Sequence, residues 1–183
     1  MHAVQFMPQA IHDNAVVNSR KHSLQFIYKE RMFFMTKGEM AAANFQTGMN
    51  CAQAVLLSFK DETGLDEATL LKLSLPFGGG MGRLRLTCGA VTGMIMAYGL
   101  IKGIGTCPTH DEKLDNYKGV QYLCDEFKKL NRGTIICAEL LGLKEPEGTY
   151  VPEERTEEYY KKRPCGEMCS IAAEILDKYL KEN

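Results

Sequence analysis

The chain has 183 residues, 45% hydrophobic and 25% charged, a balance that suits one globular domain and argues against intrinsic disorder. Its formal net charge of -1 gives no electrostatic basis for nucleic acid or an anionic membrane as the dominant partner. Seven cysteines are an odd number, so they cannot all pair within one molecule. No basic segment followed by an apolar run and a small-residue cleavage site opens the chain. The expected setting is therefore the cytoplasm, where catalytic or metal-bound thiols are more plausible than structural disulfides.

Residues 1–35 hold three of the four histidines (His2, His12, His22) and show no clear helical period. Met35-Thr36-Lys37-Gly38-Glu39 reads as the natural start of a domain, so 1–35 is expected to be a poorly ordered extension before a domain over 36–183. From Lys37 onward, apolar residues recur at spacings of three and four, and alternating runs are nearly absent. The expected fold is all-α, a single-domain irregular bundle of about six to eight helices. Helices are expected over Lys37–Phe45, Cys51–Glu62, Glu67–Leu73, Cys88–Lys102, Glu112–Leu130, Ile135–Leu141, Arg155–Lys161 and Cys165–Leu180.

Between Pro76 and Arg85, the run Phe77-Gly78-Gly79-Gly80-Met81-Gly82-Arg83 is unsuited to a helix interior and is expected to be a loop. Leu86–Ile101 is uncharged but only sixteen residues long. A bilayer needs about 20, so this stretch reads as a buried helix and no stable membrane insertion is expected. The polar stretch Lys144–Glu154 separates the last two helices from the rest.

Four cysteines fall at expected helix starts. Asn50-Cys51-Ala52-Gln53 resembles a capping box with Cys51 at the first helical position, and Thr87-Cys88 repeats the arrangement. Cys137 lies in a first turn after Thr134, and Cys165 follows Pro164. Unpaired amides and the positive end of a helix dipole stabilise thiolates, so these thiol pKa values are expected to be lowered. Cys165 and Cys169 are four apart and share a helix face, whereas Cys107 and Cys124 have no such setting and read as packing residues. Gly89, Gly93 and Ala97 form a small-residue ridge that admits either a cofactor or a close helix, and helix packing alone is sufficient to explain it.

The segment Cys88-Gly89-Ala90-Val91-Thr92-Gly93 carries a CGAxxG motif, and the chain here resembles the family of redox-active proteins known by the pattern C_GCAxxG_C_C. Cys51 in its Asn-Cys-Ala-Gln setting looks like the first of the four family cysteines, with Cys88, Cys137 and Cys165 as the others. The resemblance spans roughly residues 37–180, with 1–35 outside it, and implies redox activity without specifying a reaction.

Two readings of the cysteines remain open. In the first, Cys51, Cys88, Cys137 and Cys165 supply thiols for thiol/disulfide or electron-transfer chemistry with a redox partner protein or a small thiol, possession of a nearby pair being the requirement. In the second, the same four, with Cys169, are ligands of zinc or an iron-sulfur cluster in a site assembled by the fold, with Gly89 and Gly93 giving a cofactor close access to the backbone. The glycine run with Arg83 and Arg85 is a weaker candidate for an anion or nucleotide site, since it lacks both the P-loop ending and a strand-turn-helix context. The charged run Glu153–Arg163 reads as a solvated helix face or a docking surface. His110 alone supplies no hydrolase constellation.

Overall fold

Thr36 starts the described domain with a capping box: the Glu39 amide donates to Thr36 Oγ1 at 3.1 Å and the Thr36 amide donates to Glu39 Oε2 at 2.8 Å. The computed structural model describes residues 35–144 and 149–183. The expectation for 1–35 therefore lies outside the described residues. Helix α1 runs Lys37–Gln46. Asn50 and Gln53 form a second capping box that opens α2, Cys51–Ser58, with the Gln53 amide donating to Asn50 Oδ1 at 3.0 Å. The expected helix to Glu62 is interrupted at Phe59, whose φ of -106° and ψ of 21° depart from helical values, and a single turn α3, Lys60–Thr63, follows. Helix α4 is Glu67–Ser74, capped by Asp66.

The glycine run forms a short turn, α5 (Gly78–Met81), with left-handed residues inside it. Positive φ values continue from Gly79 through Arg83 and recur at Arg85. Glycine tolerates this region freely, whereas Met81, Arg83 and Arg85 hold it at a cost of about 1–2 kcal/mol each. Hydrogen bonds lock the turn: the Arg85 amide donates to the Gly79 carbonyl at 3.3 Å and the Leu86 amide to the Gly80 carbonyl at 3.1 Å. The expected loop is thus a tightly bonded turn.

Helix α6 is Gly89–Lys102 and α7 is His110–Leu130, the latter opened by a capping box between Thr109 and Glu112 that moves its start two residues ahead of the expected Glu112. The turn α8 covers only Cys137–Leu140. Ile135 and Ile136, expected in that helix, are extended because they pair with the segment before α6: the Cys88 amide donates to the Ile135 carbonyl at 2.8 Å and the Cys137 amide to the Leu86 carbonyl at 2.6 Å. Thr87 and Ile136 form an isolated antiparallel bridge, and no strand occurs among the described residues. Helices α9, Glu157–Lys162, and α10, Cys165–Glu182, complete the fold, with Thr156 rather than Arg155 marking the start of α9.

Residues 36–183 form one compact all-α unit. Helix α10 packs most extensively on α1, and α2 lies between α1 and α6. The buried residues of α10, Cys165, Met168, Cys169, Ala172, Ala173 and Leu176, recur at helical spacing and make one apolar face. Phe45, Phe59, Phe127, Leu56, Met94, Leu123 and Leu176 are at most 1% exposed and form the core. A Cβ at Gly93 would lie 2.7 Å from the Ala52 carbonyl oxygen, so glycine is what lets α6 approach the backbone of α2. No helix among the described residues is long and apolar enough to cross a membrane.

Candidate functional site

The starts of α2, α6, α8 and α10 converge on one cavity of about 560 Å³. Cys51, Cys88, Cys137 and Cys165 all line it. Cys51 is the first residue of α2 and Cys165 the first of α10, as expected. Cys88 is instead the N-cap residue of α6, one position earlier than expected, because its amide is committed to Ile135. Cys137 begins the single turn α8. The ridge glycines part company here: Gly89 lines the cavity, with a Cβ there falling 3.0 Å from Cys51 Cβ, while Gly93 is occupied by its contact with α2.

The thiols of Cys51 and Cys165 are near enough to shift each other's ionisation, as are those of Cys51 and Cys169. Cys169, completely buried one turn further along α10, directs its Sγ at the Cys51 carbonyl at 3.7 Å. Cys51 therefore stands between the two α10 cysteines. Cys107 is exposed and Cys124 half-buried, and neither lines the cavity. All seven cysteines are free thiols in this structure. Among the described residues, no group of three or more His, Cys, Asp or Glu side chains is placed to hold a metal ion.

The expectation of lowered thiol pKa values is overturned. Burial pushes Cys88 up to about 12, against a smaller downward pull from the amides of Ala90 and Val91 at the start of α6. Cys165 is raised first by its hydrogen bond to Cys51 and then by burial. Hydrogen bonding with Cys165 pulls Cys51 down, but contact with Cys169, burial and the neighbouring thiols outweigh it and raise Cys51 well above the ordinary range. Burial also raises Cys169 and Cys137. Helix-start amides do act in the expected direction, but desolvation of a charged sulfur and repulsion between adjacent thiols are larger.

Cys137 has a further partner that the sequence did not announce. Arg85, only 5% exposed, hydrogen-bonds it and opposes the effect of burial. The left-handed turn of α5 delivers this arginine, and Gly80 is the point of closest approach, since a Cβ there would lie 2.7 Å from Cys137 Cβ. Arg155, Arg163 and Tyr159 also line the cavity, although the run containing them reads from sequence as a solvated face. The adjacency of Arg163 and Pro164-Cys165 was the available signal, because a residue two positions before a helix-start cysteine must stay near it. His110 is exposed at the start of α7, away from the cavity lining.

Comparison with known proteins gives one family: the model described as "Putative redox-active protein (C_GCAxxG_C_C)" matches residues 49–179, a span that contains all four cavity cysteines. No curated protein and no solved structure gives a significant match.

Proposed function

We propose, from the premise that this chain belongs to the redox-active C_GCAxxG_C_C family, that it works by reversible dithiol/disulfide chemistry with Cys51 and Cys165 as the exchanging pair. The observation that carries this reading is their placement as the first residues of α2 and α10, both on the wall of one solute-sized cavity. Oxidation joins the two sulfurs and releases two electrons and two protons, which pass to the disulfide of a redox partner protein or of a small thiol. Cys88 and Cys137 flank the pair, and Cys169 is a buried thiol within reach of Cys51 that can exchange with the first-formed bond. The proposed setting is a reducing compartment such as the cytoplasm, which would return the dithiol to its reduced form.

The reading is tested by mild oxidation of the reduced protein, followed by thiol titration and peptide mapping. The expected result is the loss of two titratable thiols and recovery of a Cys51–Cys165 linked peptide. An unchanged thiol count would refute it. Iron, zinc and sulfide analysis of anaerobically purified protein tests the alternative in which the same cysteines are ligands: stoichiometric metal would favour that role.

A further inference from the structure

Around the four thiols the cavity collects the guanidinium groups of Arg83, Arg85, Arg155 and Arg163. Glu153 ion-pairs with Arg83 at 3.7 Å and with Arg163 at closer range. Arg85 reaches Cys137. Arg155 is held differently. Its guanidinium lies 4.6 Å from the ring centres of both Phe45 and Tyr159, and its Nη2 donates to the Met49 carbonyl at 3.4 Å.

Arg155 Nη1 is buried without a hydrogen-bond partner, and no carboxylate among the described residues pairs with this cation. A guanidinium nitrogen shut off from water with its donor idle is costly, and stacking on aromatic faces offsets only part of that cost. Its charge also faces Cys165 and Cys169. An anion brought by a ligand would complete the site. The cavity, at about 560 Å³, falls in the ~300–1,000 Å³ range of small-molecule sites, a size that suits an organic molecule better than a bare inorganic ion.

We propose that the cavity binds a carboxylate-bearing low-molecular-weight disulfide, with Arg155 holding the carboxylate and the S–S bond presented to Cys51 and Cys165. This rests on the dithiol reading above. Cys51 Sγ attacks one ligand sulfur as its own proton departs, forming a mixed disulfide, and the first half of the ligand leaves as a thiolate that takes up a proton. Cys165 Sγ then attacks the Cys51 sulfur as it loses its proton, forming the protein disulfide and releasing the second half, which takes up a proton and leaves as a thiol. Two electrons pass from the protein dithiol to the ligand, and two protons accompany them.

The reduced full-length chain carrying Cys107→Ser, which removes the exposed thiol outside the cavity, is treated with 3,3′-dithiodipropionate, which carries two carboxylates, or with cystamine, which carries two ammonium groups, and the loss of thiols is followed. Each rate is divided by that of the urea-unfolded chain to remove the reagents' intrinsic reactivity. The expected preference of the folded protein for the anionic disulfide is about tenfold or more. Arg155→Gln should reduce it several-fold, with folding checked by circular dichroism, and Arg155→Met, which keeps the apolar stem over the aromatic rings and removes the charge, serves as the second variant if the first does not fold. Equal normalised rates for both reagents in the chain with Arg155 intact would overturn the inference and leave the dithiol reading standing. No thiol loss with either reagent would overturn both. A preference unchanged in the folded Arg155 variants would overturn the role given to Arg155.

Discussion

Helices α6 and α10 carry a cavity at each end, and the two are nearly equal in volume, about 560 Å³ at their starts and about 570 Å³ at their ends. The starts present Cys88 and Cys165 with arginines, whereas the ends present Tyr98 and Tyr179 with Lys102, Lys113, Glu112 and Asp115, a mixture of both signs of charge. At the aromatic end Glu112 is bonded to Thr109 and Asp115 is paired with Lys118. Tyr98 and Tyr179 meet edge-on with ring centres 5.7 Å apart, and Lys102 Nζ donates to the Asn183 carbonyl at 3.1 Å. At the thiol end the neighbours are sulfurs that repel when ionised and a guanidinium nitrogen without a partner. Cavity size therefore does not distinguish the two ends. The chemistry that the fold leaves unsatisfied does, and it is what singles out the thiol end as the candidate site.

The sharpest way to break that comparison is to remove one sulfur. Cys165→Ser is expected to abolish the reversible loss of two thiols under mild oxidation, while the circular dichroism spectrum stays that of the wild-type protein. Retention of the full two-thiol loss would show that the exchanging pair lies elsewhere. The converse substitution is at the aromatic end: Tyr98 is only 4% exposed and its hydroxyl abuts the α7 backbone at Gly119. Tyr98→Ala should cost about 3–5 kcal/mol in denaturant unfolding, as truncation of a core aromatic does, with thiol oxidation unchanged. A variant of normal stability with impaired oxidation would erase the distinction between the two ends.

A smaller effect separates backbone conformation from close approach within the thiol end. Gly80 and Gly64 are both left-handed, with φ of 72° and 67°, but a Cβ at Gly80 meets Cys137 Cβ at 2.7 Å while nothing lies within 4 Å of one at Gly64. Gly64→Ala should cost about 1 kcal/mol from conformation alone. Gly80→Ala should add about 1–3 kcal/mol of overpacking and shift the reactivity of Cys137. Equal costs would mean that the turn relaxes away from Cys137 at no penalty.

Much of the fold is readable in the sequence because its signals are local. The capping boxes at Thr36 and Asn50 and the period of Cys165–Leu176 need only neighbours within a few residues to be recognised. The same logic placed Cys51 and Cys165 at helix starts. What escaped depends on distant partners. Ile135 and Ile136 have helical neighbours in sequence, but the Ile135 carbonyl and the Cys137 amide on either side of Ile136 are spent on Cys88 and Leu86, nearly fifty positions away. Thiol acidity was misjudged for the same reason: the amides at a helix start are local and visible, whereas the burial of Cys88 and the convergence of Cys51 with Cys165 and Cys169 exist only after folding. Arg155 reads as part of a charged surface until its three aromatic neighbours, Phe45, Tyr159 and Tyr160, are assembled beneath it.

The raised thiols also give the two ends different pH signatures. Cys88 moves from an ordinary value of 9.0 up to about 12, so between these values the unfolded chain loses a proton that the folded chain keeps. The folded state then binds more protons, and stability must fall as pH rises, by at most about 1.4 kcal/mol per pH unit for each such thiol. Below pH 9 this contribution is fully present. Burial raises Tyr98 to about 12 as well, but from an ordinary 10.0, so its contribution is lost only above pH 10. The window from pH 9 to 10 therefore isolates the raised thiols, which lie at the thiol end apart from Cys124. Denaturant unfolding under reductant at pH 8, 9.5 and 11 should show the decline beginning before the tyrosines contribute, with Cys88→Ser flattening the early part and Tyr98→Phe only the later part. Constant stability between pH 9 and 10 would mean that the buried thiols ionise as readily in the folded protein as in the unfolded chain, and the difference in desolvation between the two ends would disappear.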